Sequence, residues 1–330
     1  MNQGLGVARA FDVSTEDAWC VAGQKIFHDV DVAIGNLESP LLLDVDRIYE
    51  MSFAGNPRFI KFLSACKIRM VSIANNHIME HGQRGFDDTL KILAGAEITP
   101  IGLAENGGSN LGWVQRNGLK IGCAAYCDID RNKNIGLYAD FNLGAITRDI
   151  REMESMGADV AIVCLHWGNE FSRYPSPRQM EQARCIIDSG ANVVVGHHPH
   201  VAQPFEHYHG GLIFYSLGNF VFDMTWSRLV RRGLVPILRL SKQELCIQDL
   251  RVIEMGKESY IPSVVAGDTR RYRMQPSRRD SHAWTAMYGV QRKLDKLYHR
   301  ILMKKTLLNN WNGLSPDVKR TIISNFKLFR

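Results

Sequence analysis

The sequence predicts an α/β domain followed by a basic helical extension, and three observations carry that prediction. Short β-branched or apolar runs alternate with helix-patterned stretches as far as about residue 225. Glu, Asn and His gather just past the ends of those runs. Charge is split along the chain: residues 270–330 hold 15 Lys and Arg against 3 Asp and Glu, whereas the remainder holds 25 against 31, giving +6 over 330 residues.

The predicted strands are 30–37, 70–74, 119–126, 159–165, 192–195 and 212–217, each bounded by Gly, Asn, Pro or charge. Between them, 57–67 places Phe59, Phe62, Leu63 and Cys66 on one helical face, and 85–93 does the same with Phe86, Leu90 and Leu93. The stretch 143–156 carries Ile146, Ile150, Met153 and Met156 at helical spacing. A helix over 177–188 opens with Ser176 as N-cap and Pro177 at its first position. Residues 230–262 read as strands closing the domain. The division expected is a domain over 1–265 and an extension over 266–330: an Arg-rich linker, then a helix, then a short helix over 316–328. In the first of these helices Val290, Leu294, Leu297, Tyr298, Ile301 and Leu302 form an apolar stripe, expected to cover the body while Arg and Lys face water.

Several function classes are excluded. With 45% hydrophobic residues the chain can build a core, so disorder is not the reading. No apolar run reaches the roughly 18 residues of a membrane span. Seven scattered cysteines with no close-spaced pair argue buried thiols rather than a disulfide framework or zinc ribbon. Such thiols suit a reducing compartment, so the expected location is cytoplasmic or peripheral to a membrane. Trp284, Tyr288, Tyr298 and Trp311 are interleaved with cations, but no nucleic-acid motif accompanies them. The basic extension fits an anionic polymer or an anionic membrane surface better.

The strand ends carry the chemistry. The run 32–35 leads into Asn36-Leu37-Glu38, 70–74 into Asn75-Asn76-His77, and 159–165 into His166-Trp167-Gly168. The run 192–195 leads into Gly196-His197-His198-Pro199-His200, and 212–217 into Gly218-Asn219-Phe220. In an α/β sheet, side chains past the carboxyl ends of strands converge on one crevice. This set offers imidazole nitrogen and carboxylate or amide oxygen without thiolate, which suits Zn, Mn or Fe, and sets of this kind often hold two divalent ions. Glu170, two residues past Gly168, is a candidate partner to orient His166, and Asn219 a candidate to bind substrate or shape its turn.

Five ordered motifs, Asn36-Leu37-Glu38-Ser39-Pro40, Ala74-Asn75-Asn76-His77, His166-Trp167-Gly168-Asn169-Glu170, Gly196-His197-His198-Pro199-His200-Val201 and Ser216-Leu217-Gly218-Asn219-Phe220, together resemble the CapA capsule-synthesis family over about residues 25–225. That family is associated with poly-γ-glutamate capsules and resembles a branch of the calcineurin-like metallophosphoesterases. The resemblance implies an α/β/β/α sandwich with two divalent ions (Mn, Zn, Fe or Mg). It implies Glu38, Asn76, His166, His198 and His200 as metal ligands and His77 as the catalytic group beside a reacting phosphate. His197 stands at the Gly of a Gly-His-x-His element, and Glu38 where relatives carry a bridging Asp. The implied activity is hydrolysis of a phosphoester or related bond through a hydroxide activated by two metals. The alternative is a non-catalytic accessory protein of a polymer synthesis or export complex, with an incomplete first metal site. Implied partners are an anionic polymer or its precursor and other capsule proteins. Relatives open with a strand ending in Gly-Asp, and some carry an N-terminal membrane anchor. Here Asp12 follows no apolar run, so the first strand is expected to be missing, leaving an unfilled position beside the strand that leads to Glu38.

Overall fold

The computed structural model describes residues 7, 11, 16–44, 53–104, 109–129, 136–274 and 282–310. The expected helix over 316–328 and part of the linker lie outside these residues. Strands β1 (Ala33–Asn36), β2 (Ile68–Ser72) and β3 (Thr99–Ile101) form a parallel sheet in that order. A six-stranded sheet has the order β4-β5-β6-β7-β9-β8, from Gly112–Arg116, Leu119–Cys127, Val160–His166, Val193–His197, Gly211–Phe214 and Phe205–Tyr208. Within it β5, β6, β7 and β9 run parallel. Strands β10 (Arg232–Leu240), β11 (Leu245–Met255) and β12 (Pro262–Val265) make an antiparallel sheet.

The parallel strands are buried on both faces, which is why they read as continuous apolar runs. Their side chains alternate between two cores. Ile121, Cys123, Ile162, Cys164 and Val193 face the smaller sheets. Ala124, Tyr126, Val163, Leu165 and Val194 face helices α4 (Leu143–Ser155) and α5 (Pro177–Asp188), which return Ile146, Ile150, Met153, Met180 and Ile186. Each such fully buried aliphatic contributes about 1.5–3 kcal/mol. Helices α1 (Glu16–Ile26), α2 (Ile60–Ala65) and α3 (Gly82–Gly95) belong to the first core, with α2 against β2 and α3 against β3. The α5 start behaves as expected: Ser176 and Gln179 form a reciprocal capping box ahead of Pro177.

Among the described residues β1 and β10 each have a strand partner on one side only. Between those edges lies a largely apolar cavity of about 390 Å³. Ile34 and Gly35 line one wall, Leu234, Ile237 and Leu238 the other, with Ile162 and Val195 as its floor.

Helix α6 (His282–Asn310) corrects the expectation for the extension. Among its described side chains Tyr288, Asp295 and His299 are buried, while Met287, Val290, Leu294, Leu297, Tyr298 and Ile301 are exposed. The docked face is polar because the 169–173 loop after β6 offers polar and aromatic partners. Asn169 donates to the Tyr288 hydroxyl (2.9 Å), Arg173 donates to Asp295 (2.7 Å), and Phe171 stacks on His299 with ring centres 4.8 Å apart. Burying Asp295 is tolerable only because Arg173 and Gln291 pair with it. No helix among the described residues is long and apolar enough to cross a membrane.

Candidate metal centre

Glu38, Asn76, His77, His166, His198 and His200 are all buried at the carboxyl ends of the parallel strands. Each arrives by a local device. Leu37 is held to β2 by its N–H, which donates to the Ser72 carbonyl (2.9 Å), and this places Glu38 one residue beyond Leu37 at the end of β1. Asn75 shapes the next turn: its side chain donates to the Leu37 carbonyl and accepts from the N–H groups of His77 and Ile78. His166 is the last residue of β6, in register with His197 of β7. Gly196 sits where a Cβ would lie 2.0 Å from the Tyr215 carbonyl oxygen, so only glycine lets β7 approach there. His198 and His200 have φ of 95° and 58°, left-handed values that cost roughly 1–3 kcal/mol each outside glycine. At that cost the loop brings both imidazoles to the rim beside Glu38.

Glu38, His166 and His198 offer ligand atoms that all lie within 4.8 Å of one another. His166 Nε2 is 3.8 Å and His200 Nε2 3.7 Å from Glu38 Oε1. Asn76 Oδ1 lies 2.7 Å from His166 Nε2. Among the described residues Glu38 Oε1, Asn76 Nδ2 and His166 Nδ1 have no hydrogen-bond partner despite full burial. A bound cation would satisfy the orphaned Glu38 oxygen and His166 nitrogen; the Asn76 amide N–H is a donor and calls for an anionic or oxygen partner instead. Burial holds the His166 imidazole well below its ordinary pKa, and the neighbouring imidazoles of His198, His197, His200 and His77 add to this. The ring is therefore neutral, the form that ligates metal.

The remaining candidates separate. Asn219 Nδ2 donates to the Val230 carbonyl (2.9 Å), which leaves its Oδ1 to accept from His200 Nδ1 (3.0 Å). That bond leaves the His200 Nε2 lone pair toward Glu38. Glu170 does not orient His166, whose Nδ1 is without a partner and whose Nε2 meets Asn76. His197 lines the cavity between β1 and β10 and is pushed down to a pKa of about 3 by burial. His77 Nδ1 lies 3.0 Å from Glu80 Oε1, and the Phe53 ring stands edge-on at 4.6 Å. Glu80 and Asn75 were missed as positioning residues. Both lie within three residues of His77, so the turn chemistry of Asn was the available signal.

The family profile described as bacterial capsule synthesis protein PGA_cap matches residues 5–224. The capsule biosynthesis protein CapA of Bacillus anthracis is 30% identical over 292 residues, covering 83% of this chain and 70% of that protein. The PGA biosynthesis protein CapA of Bacillus subtilis (strain 168) is 33% identical over 228 residues, covering 64% of this chain and 58% of its own length. The crystal structure of a hypothetical protein from Thermus thermophilus superposes with a TM-score of 0.50 at 17% identity, over 72% of this chain and 93% of that one, a likeness of fold alone.

Proposed function

Because the chain belongs to the bacterial capsule synthesis protein PGA_cap family, we propose that it is a metal-dependent hydrolase of poly-γ-glutamate capsule biosynthesis, acting on a phosphoester or related bond with a metallophosphoesterase-like site. The observation that carries the reading is the buried Glu38, His166 and His198 group with Asn76 and His200 in contact with it. The donors are nitrogen and oxygen only, a set suited to Zn, Mn or Fe. Glu38, Asn76, His166, His198 and His200 would hold the ions. Bound there, such ions would supply Lewis acidity toward a phosphoryl oxygen and make a water nucleophilic at neutral pH.

The chain's own residues do the rest. Glu80 accepts from His77 Nδ1, so that nitrogen keeps its proton and Nε2 is left to hold or deliver one at a leaving oxygen. Asn219 fixes the His200 tautomer. An anionic polymer precursor is the substrate class that the family setting supports.

One observation favours a second reading, a non-catalytic accessory protein with a single ion. Among the described residues Glu38 is the one carboxylate in the donor group, and one negative charge compensates two divalent ions poorly. Metal analysis of purified protein, with turnover of a chromogenic phosphodiester, separates the two. The hydrolase reading expects two ions per chain and turnover that a chelator abolishes. One tightly held ion with no turnover in any of Mn, Zn, Fe or Mg would replace it with the accessory reading.

A further inference from the structure

Six of the eleven large exposed apolar residues among the described ones lie on α6: Met287, Val290, Leu294, Leu297, Tyr298 and Ile301, each 49–62% exposed. Met287, Val290, Leu294, Leu297 and Ile301 repeat at spacings of three and four, so they form one continuous stripe, about 21 Å long at the helical rise. The stripe is not the fringe of a core, because α6 docks through Tyr288, Asp295 and His299, which lie on a different side of the helix. Beside it stand Lys293, Arg300, Lys304 and Lys305, all exposed. The one acidic residue of the helix, Asp295, is buried against Arg173.

We propose that the outer face of α6 lies on an anionic lipid bilayer, its apolar stripe at the acyl boundary and its cations among the headgroups. Charge complementarity selects this occupant. A second copy of α6 laid along the stripe would bring Lys293 and Arg300 against cations of the same sign. A soluble polyanion such as polyglutamate would satisfy the cations and leave the stripe in water. An acidic bilayer meets both needs at once. The inner face of α6 holds the 169–173 loop, whose Phe171 ring centre is 6.2 Å from that of His200, so the membrane-facing helix and the metal centre share one loop. The inference does not depend on the hydrolase reading.

Co-sedimentation of the full chain with vesicles tests it, using pure phosphatidylcholine and an equal mixture with phosphatidylglycerol. Binding is expected to the anionic vesicles only, and to fall as salt rises from about 0.1 M to about 1 M, where the screening length shrinks from about 10 Å to about 3 Å. The double variant Leu294→Asp/Leu297→Asp should lose binding at least about tenfold. Lys293→Glu/Arg300→Glu should lose it comparably and abolish the salt dependence. All four positions are exposed, so far-UV circular dichroism and metal content should match the wild type. Equal binding by both variants, or equal binding to neutral vesicles, would overturn the proposal. So would a concentration-dependent dimer in sedimentation velocity that Leu294→Asp abolishes while vesicles are ignored, which would assign the stripe to a second copy.

Discussion

The strand-end rim and the outer face of α6 break the ordinary rule of burial in opposite directions. At the rim the chain buries Glu38, Asn76, His166, His198 and His200, and among the described residues Glu38 Oε1, Asn76 Nδ2 and His166 Nδ1 find no hydrogen-bond partner. On α6 it leaves six large apolar side chains in water while burying an aspartate and a histidine. Both arrangements cost free energy in the isolated chain, so each marks something that the fold is shaped to receive: a cation in one case, an apolar and anionic surface in the other. The two also differ in how firmly they are held. The rim is fixed by backbone, through parallel strand ends, a glycine where no Cβ fits and two left-handed histidines. Helix α6 is held by a few side-chain contacts to one loop. Substitutions at the rim should therefore change ligand binding and chemistry while the fold persists, and changes at α6 should alter docking and little else.

The largest effects should come from the rim. His166→Ala removes a proposed ligand, so metal affinity should fall by more than the roughly 100-fold that loss of an outer hydrogen-bond partner can cost. His77→Ala should keep its metal and lose turnover by roughly 10²–10⁴-fold, the scale of a lost general acid. Metal content by mass spectrometry, measured beside phosphodiester turnover, checks both. Equal metal loss in the two variants would break the division between holding the cation and moving a proton.

A smaller effect sharpens the claim that the rim is held by its scaffold. Asn219→Ala removes the acceptor for His200 Nδ1 without touching any proposed ligand atom. Metal affinity should drop by about 10–100-fold, and competition with a chromogenic chelator would read it. Unchanged affinity would mean that the backbone alone orients His200.

What the sequence showed and hid follows the same contrast. The long apolar runs announced β5, β6 and β7 because strands buried on both faces need no polar alternation, and histidines close β6 and β7 directly. The strand expected over 30–37 shrinks to Ala33–Asn36, since only those residues pair with β2. The edge strands β4 and β8 escaped notice because each is short and half polar. So did α1, whose Gly23 weakens the helical pattern yet is needed where a Cβ would lie 2.8 Å from Cys66 Sγ. Periodicity revealed that α6 has an apolar stripe. It could not say which face docks, because the partners Asn169, Phe171 and Arg173 lie more than a hundred residues away. The role of Asn219 was hidden for a similar reason, since it depends on the Val230 carbonyl eleven residues on.

The smallest effect probes the weaker of the two regions through pH. His299 is 2% exposed, and among the described residues neither ring nitrogen has a hydrogen-bond partner. Burial pushes its pKa down to about 4, with Asp295 pulling it up and Arg173 pulling it down. Above about pH 6.5 the ring is neutral whether α6 is docked or not, and the stacking on Phe171 is at full strength. Below that, the undocked or unfolded chain takes up a proton that the docked chain refuses, so docking weakens as pH falls, until the docked ring also protonates near pH 4. Between pH 6.5 and 5 the loss should reach roughly 1–2 kcal/mol, at about 1.4 kcal/mol per unit. Amide hydrogen exchange of α6, corrected for the intrinsic effect of pH, should show protection falling over this window while β6 and β7 keep theirs. His299→Phe retains the ring contact without a titratable nitrogen, and its α6 protection should lose most of that pH dependence. A wild-type helix whose protection stays level from pH 7 to 5, or a Phe variant that follows the wild type, would mean that α6 is held as firmly as the rim.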